Sequence, residues 1–155
     1  QRCVGKINFI QDNESKSSYG VLRGLHYQKG EYSQAKLVRV IKGKVLDVAV
    51  DIRKSSPTFG KYVMVELSDE NKRQFFIPRG FAHGFLTLED DTEFVYKCDN
   101  FYNPKSEVGI IWNDADLNID WNLDKYNIKE EELIISEKDK KNISFKEYKK
   151  INNIE

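Results

Sequence analysis

Apolar and polar residues alternate through most of the first hundred positions, with the period of two that marks strands half-buried against a core. Gly20 to Gln28 is the first such stretch, entered through the turn-forming Ser17-Ser18-Tyr19-Gly20. Ala35 to Ile41 alternates next, and Lys42-Gly43 joins it tightly to Val45 to Ile52, so these two runs read as a hairpin. Ser55-Ser56-Pro57 and Gly60 mark a loop. Lys61 to Leu67 alternates again, Ser68 to Asn71 turns, and Arg73 to Ile77 leads into Pro78-Arg79-Gly80. Phe81 to Leu88 and Thr92 to Cys98 follow, parted by the acidic turn Glu89-Asp90-Asp91. No helical period appears before residue 120. Short strands punctuated by Gly, Pro and Asp predict a mostly β fold, an antiparallel barrel or a double-sheet jelly roll. From Asn122 the composition shifts to Lys, Glu, Asn and Ile, which predicts a loop, a short helix near Lys129 to Leu133 and a partly helical tail.

Length and charge narrow the picture. The 155 residues suit one domain, with a core at about 9–121 and a C-terminal extension over 122–155. Lys+Arg and Asp+Glu are both 25, so bulk charge suggests neither nucleic acid nor a membrane surface as a partner. No apolar run approaches the roughly 20 residues that a membrane span requires. Cys3 and Cys98 form no C-x-x-C pair and are too few for a disulfide framework. With no signal peptide in view, the expected location is the cytoplasm.

The strand Gly20 to Gln28 carries Arg23, His26 and Gln28 where packing alone favours aliphatics. Histidine is the side chain whose ordinary pKa, about 6.5, lets it exchange protons near neutrality, and His26 reads as a catalytic base. Arg23 and His26 are an odd number of residues apart, so strict alternation puts them on opposite faces. Both reach one pocket only if the strand bulges or bends, which Gly24 permits. Lys36 shares its strand face with Val38 and Val40, Tyr96 with Phe94 and Cys98, and His83 with Phe81 and Phe85. Asp114, Asp116 and Asn118 begin like a calcium loop, but Ile119 and Lys125 stand where glycine and the bidentate glutamate belong, so they read as turn residues. With two histidines far apart, a metal-free site is expected.

Several segments together carry a family resemblance. They are Gln11 to Ser17, Gly20 to Gln28, Lys36 to Val40, Asp47 to Asp51, Phe76 to Phe85, Tyr96 to Cys98 and Ile111 to Asp114. In this order they resemble the dTDP-4-dehydrorhamnose 3,5-epimerase family, metal-free cupins of dTDP-L-rhamnose synthesis, from about Phe9 to Asp139. The resemblance implies a cofactor-independent homodimeric jelly roll acting on dTDP-4-dehydro-6-deoxy-D-glucose. It assigns the base to His26, its carboxylate partner to Asp139, the enolate-oxygen contact to Lys36 and the general acid to Tyr96. His83 becomes a substrate ligand and Arg23 a diphosphate contact. Gln11, Asn13, Glu107 and Lys138 match binding positions, and Tyr102 an aromatic that stacks on thymine. Family members carry several dozen residues before the equivalent of Phe9, which supply an arginine and a glutamate to the partner's nucleotide site; no residue here is assigned to them. An epimerase of one carbon, a ketoisomerase, a non-catalytic sugar-nucleotide-binding jelly roll and a metal-dependent cupin stand as alternatives.

Overall fold

The structure is a computed structural model, and it describes residues 5–154; Cys3 lies outside them. Among the described residues nine strands form two antiparallel sheets: β1 (Gln11–Ser17), β2 (Leu22–Gln28), β3 (Lys36–Lys42), β4 (Lys44–Asp51), β5 (Tyr62–Ser68), β6 (Gln74–Ile77), β7 (Phe81–Thr87), β8 (Thr92–Cys98) and β9 (Glu107–Gly109). One sheet runs β1-β8-β3-β6 and the other β5-β4-β7-β2-β9, which makes the molecule an antiparallel double-sheet jelly roll. Two helices follow, α1 (Glu137–Lys140) and α2 (Phe145–Ile151), after 3-10 turns at Asp124–Tyr126 and Glu130–Glu132.

The expected hairpin between the third and fourth strands does not form. β3 pairs with β6 and β8, whereas β4 pairs with β5 and β7, so the chain changes sheets at Gly43. Gly43 takes φ +83°, and a Cβ there would stand 2.3 Å from the Thr92 hydroxyl, so the corner needs glycine. Alternation shows which face of a strand is buried but not which strand lies beside it, hence the misreading. β1 was not expected either. Its sequence, Gln-Asp-Asn-Glu-Ser-Lys-Ser, is polar on both faces, yet it pairs with β8 along its whole length.

β4 is buried over seven of its eight residues because it has a core on each side. Val45 and Ala49 point between the sheets, toward Val38, Val40, Phe85 and Phe94. Leu46, Val48 and Val50 point outward, where Trp112, Leu117, Trp121, Ile128, Phe145 and Tyr148 cover them. The C-terminal region is therefore a layer packed on the outer face of the five-stranded sheet. Two parallel bridges fasten it, Val21 to Ile134 and Ile110 to Ile143. Asp114, read as a turn residue, is one: its carboxylate accepts from the amides of Asp116, Leu117 and Phe145.

Candidate active site

The open end of the sandwich encloses a cavity of about 350 Å³ between the two sheets. Its walls include Gln11, Asn13, Arg23, His26, Lys36, His83, Tyr96, Tyr102, Glu107 and Lys138, with Asp139 behind His26. All the sequence-derived candidates thus converge on one place. The walls differ in what they bring. The five-stranded sheet supplies Arg23, His26, His83 and Glu107; the four-stranded sheet supplies Gln11, Asn13, Lys36 and Tyr96.

Gly24 resolves the parity conflict in β2. Pairing with β7 shifts register between Arg23 and His26, so Arg23 lies opposite Phe85 and His26 opposite His83. Gly24 has φ +113°, and a Cβ would stand 2.6 Å from the His83 carbonyl and 2.7 Å from the Gly84 Cα. Both obstacles are backbone, which does not move aside for a methyl group.

His26 and Asp139 are in close polar contact, with Nε2 to Oδ1 at 2.6 Å. Asp139 is 2% exposed, although a residue in so charged a tail would ordinarily sit in solvent. The bridges at Ile134 and Ile143 hold the tail against β2 and β9, and the turn between them carries α1 under the histidine. Ser136 caps α1 by accepting from the Asp139 amide at 3.1 Å, and the Gly24 amide donates to Oδ2 at 3.1 Å. Burial pushes the Asp139 carboxyl upward, but the bond and charge of His26, with the Gly24 amide, bring it below the usual carboxylate range. An anion there fixes the orientation of the ring and its tautomer.

A second histidine–carboxylate pair lies beside the first. His83 Nε2 is 2.9 Å from both oxygens of Asp47, which is wholly buried. Burial lowers the His83 pKa and raises that of Asp47, each opposed by the other's charge. Asp47 alternates with Val45 and Ala49 on the inner face of β4; sequence reading passed over it, though a carboxylate in so apolar a run was the available signal. Gln28 is a structural brace of the site. Buried, it donates to the carbonyls of Tyr32 and Phe101 and accepts from the Asn103 amide, holding two loops at the cavity mouth.

On the opposite sheet the Lys36 ammonium lies 5.6 Å from the centre of the Tyr96 ring. Burial pushes Lys36 below its ordinary value, while nearby Asp47 and Glu107 oppose the shift. Burial pushes the Tyr96 phenol up, so it is protonated at neutral pH. At the mouth Glu107 accepts from the Tyr102 hydroxyl at 3.1 Å and pairs with the Lys138 ammonium. Gln11 Oε1 accepts from the Tyr102 amide and Nε2 donates to Asn13, whose amide meets Cys98 Sγ at 3.7 Å. Arg23 stands 6.0 Å from the Phe85 ring, and Phe85 stacks on Phe94 at 4.5 Å.

Among the described residues no three His, Cys, Asp or Glu side chains gather as a metal site, and no helix is long and apolar enough to cross a membrane.

A jelly roll whose interior sets proton-transfer groups on facing sheets falls in the class of cupin-type enzymes. The chain matches the family model for dTDP-4-dehydrorhamnose 3,5-epimerase over residues 2–147. It is 63% identical to the dTDP-4-dehydrorhamnose 3,5-epimerase of Shigella flexneri over 122 residues, 78% of this chain and 67% of that protein. The enzyme of the same name from Methanothermobacter thermautotrophicus is 56% identical over 135 residues, 87% of this chain and 70% of that one. The crystal structure of Legionella pneumophila dTDP-6-deoxy-D-glucose-3,5-epimerase in complex with dTDP-4-keto-L-rhamnose superposes with a TM-score of 0.82 at 51% identity, covering 89% of this chain and 70% of that one. The chain belongs to the dTDP-4-dehydrorhamnose 3,5-epimerase family, and it spans about two thirds of the length of the curated relatives it matches.

Proposed function

We propose that this chain inverts carbons 3 and 5 of dTDP-4-dehydro-6-deoxy-D-glucose, giving dTDP-4-dehydro-L-rhamnose, and that His26, Tyr96, Lys36 and Asp139 carry the chemistry. Inverting a carbon beside a ketone requires a base on one face of the ring, a stabilised enolate and an acid on the other face. The observation that carries the reading is the origin of the groups: His26, backed by Asp139 of α1, comes from one sheet, Tyr96 with Lys36 from the other, and the histidine, tyrosine and lysine border one cavity.

His26 takes the proton, and the Asp139 anion stabilises the imidazolium that results. Electron density moves onto the ketone oxygen, which meets the Lys36 ammonium; one such donor is worth roughly 3 kcal/mol of barrier. Tyr96 then protonates the opposite face. His83, held by Asp47, is a substrate ligand. Arg23 meets the diphosphate, since a guanidinium fork suits paired oxygens, and Lys138, paired with Glu107, is a further substrate-binding position. Gln11, Asn13 and Glu107 complete the nucleotide-sugar contacts, and Tyr102, half exposed at the mouth, stacks on thymine.

The chain acts as a cytoplasmic homodimer and as one domain. The outward face of the four-stranded sheet offers an apolar groove at Leu37, Ile41 and Val95 for a second copy, which light scattering tests: a monomer mass contradicts it. For the reaction, the protein is incubated with the dTDP-4-dehydro sugar in deuterated water and exchanged carbons are counted by NMR. Deuterium at carbons 3 and 5 of an inverted product supports the proposal; exchange at one carbon restricts it, and none refutes it.

A further inference from the structure

Asn142 follows α1, half-buried and outside the cavity wall. Its place is set from both sides. Its backbone N–H donates to the Asp139 carbonyl at 3.3 Å, and the next residue is pinned to β9 and its continuation, with Ile143 donating to the Gly109 carbonyl at 3.2 Å and Ile111 to the Ile143 carbonyl at 2.9 Å. The Asn142 side chain is thereby laid across Gly109, the residue of β9 that pairs with His26. The backbone at Gly109 does not itself call for glycine, but a Cβ there would stand 2.1 Å from Asn142 Oδ1 and 2.3 Å from its Cγ. The glycine makes room for the amide.

Beyond Gly109 the amide reaches the break in β2. Asn142 Nδ2 donates to the Gly24 carbonyl at 3.3 Å, while the Gly24 N–H donates to Asp139 Oδ2 at 3.1 Å. Gly24 is thus held at both of its polar backbone atoms by two side chains of one turn. Nδ2 carries a second hydrogen, and the Asp139 carboxylate is in its reach: burial raises the Asp139 carboxyl, and Asn142 acts with His26 and the Gly24 amide to lower it. Asp139 meets β2 at two points, His26 and Gly24, so its aim is only as good as the hold of that turn on the strand. Asn142 is the side chain that supplies the hold.

We infer that Asn142 is a positioning residue, which locks Gly24 and Asp139 to each other so that the carboxylate keeps its aim at His26 and the ring keeps the tautomer that leaves Nδ1 free as base. The inference rests on the proposed function, in which His26 takes the proton. Because Asn142 lies outside the cavity and acts through Asp139, its loss lowers kcat and spares KM.

The test is a cycle of four proteins: unmodified, Asn142→Leu, Asp139→Asn and the double variant. Leucine keeps the branched shape over Gly109 and removes both donors. Asn142→Leu is expected to lower kcat by about 3- to 10-fold, the worth of one hydrogen bond, with KM held within about twofold. In the Asp139→Asn background it is expected to lower kcat no further, because the carboxylate that it aims is gone. Equal losses in the two backgrounds overturn the inference, as does a rise in KM at constant kcat. A readout without turnover is the 15N spectrum of the neutral His26 ring, expected to show the Nε2–H tautomer in the unmodified protein and a mixture of both tautomers in Asn142→Leu; an unchanged spectrum overturns the inference. Should Asn142→Leu fail to fold by circular dichroism, Gly109→Ala carries the same measurements, since its methyl group displaces the amide from Gly24 and Asp139; loss of the fold in both overturns the inference in favour of a structural role. Should turnover be absent from the unmodified protein while the tautomer shift holds, the epimerase reading fails and the Asn142 clamp stands.

Discussion

Replacing Asp139 by asparagine tests the histidine–carboxylate pair with little change of shape. The 2.6 Å bond to His26 Nε2 is retained as a neutral contact, but the anion that compensates an imidazolium is lost. If the asparagine amide turns its NH2 toward the ring, Nε2 must accept, and the proton moves to Nδ1. The nitrogen left to act as base is then already occupied. Wrong tautomer and lost charge act together, as in other His–Asp systems, and the expected loss in kcat is about 10²- to 10⁴-fold, with KM changed little. Asp139 also receives the Gly24 amide at 3.1 Å, which asparagine's oxygen can still accept if it points that way, so the fold should survive. The assay is the rate of deuterium incorporation at carbons 3 and 5 by NMR, with circular dichroism to verify folding. A folded Asp139→Asn protein that keeps kcat within threefold of the unmodified enzyme would refute the role given to the pair.

Further expectations concern the acid, the bulge and a loop remote from the site. Tyr96→Phe is expected to lower product formation by 10²- to 10⁴-fold while His26 still exchanges substrate hydrogen with solvent; loss of exchange and of product in equal measure contradicts separate acid and base. Gly24→Ala places a methyl group against the His83 carbonyl and Gly84 backbone, so it is expected to cost 3 kcal/mol or more in urea unfolding; near-native stability contradicts the close approach. Asp51, 1% exposed, accepts from Arg53, Ser56 and Thr58. Burial alone would raise its carboxyl, but these bonds hold it well below the usual carboxylate range. A depressed folded pKa adds stability above the unfolded value near 4 and loses it as pH falls through the folded value. Asp51→Asn is therefore expected to be less stable at pH 7 and to lose less on acidification from pH 5 to pH 2; parallel acid slopes contradict this.

The strands from β3 to β8 were legible to within a residue or two because each carries an apolar row, and β4 and β7 carry one on both faces. β1 was not, since its inward row is Gln11, Asn13 and Ser15, the polar wall of a cavity, and period-two reading responds to apolar rows. The β3–β4 hairpin failed for a different reason: two strands joined by Lys42-Gly43 look alike whether they pair or part into separate sheets. β4 carried a usable sign of the C-terminal layer, for a strand apolar on successive residues is buried on both sides. In the site, the odd spacing of Arg23 and His26 foretold the break at Gly24. Asp139 was visible only through family resemblance, because its burial depends on bridges at Ile134 and Ile143 that leave no local pattern. Asp47 went without a role for the converse reason: it lies within a run that reads as plain core.

The central claim is that base and acid work from opposite sheets on opposite faces of one sugar ring. A crystal structure of the Tyr96→Phe protein with dTDP-4-dehydro-6-deoxy-D-glucose tests it most directly. The ring is expected inside the cavity, with the His26 imidazole on one face, the residue 96 ring on the other and the Lys36 ammonium within hydrogen-bond distance of the ketone oxygen. A sugar with both side chains on the same face, or one bound outside the sandwich, would contradict it.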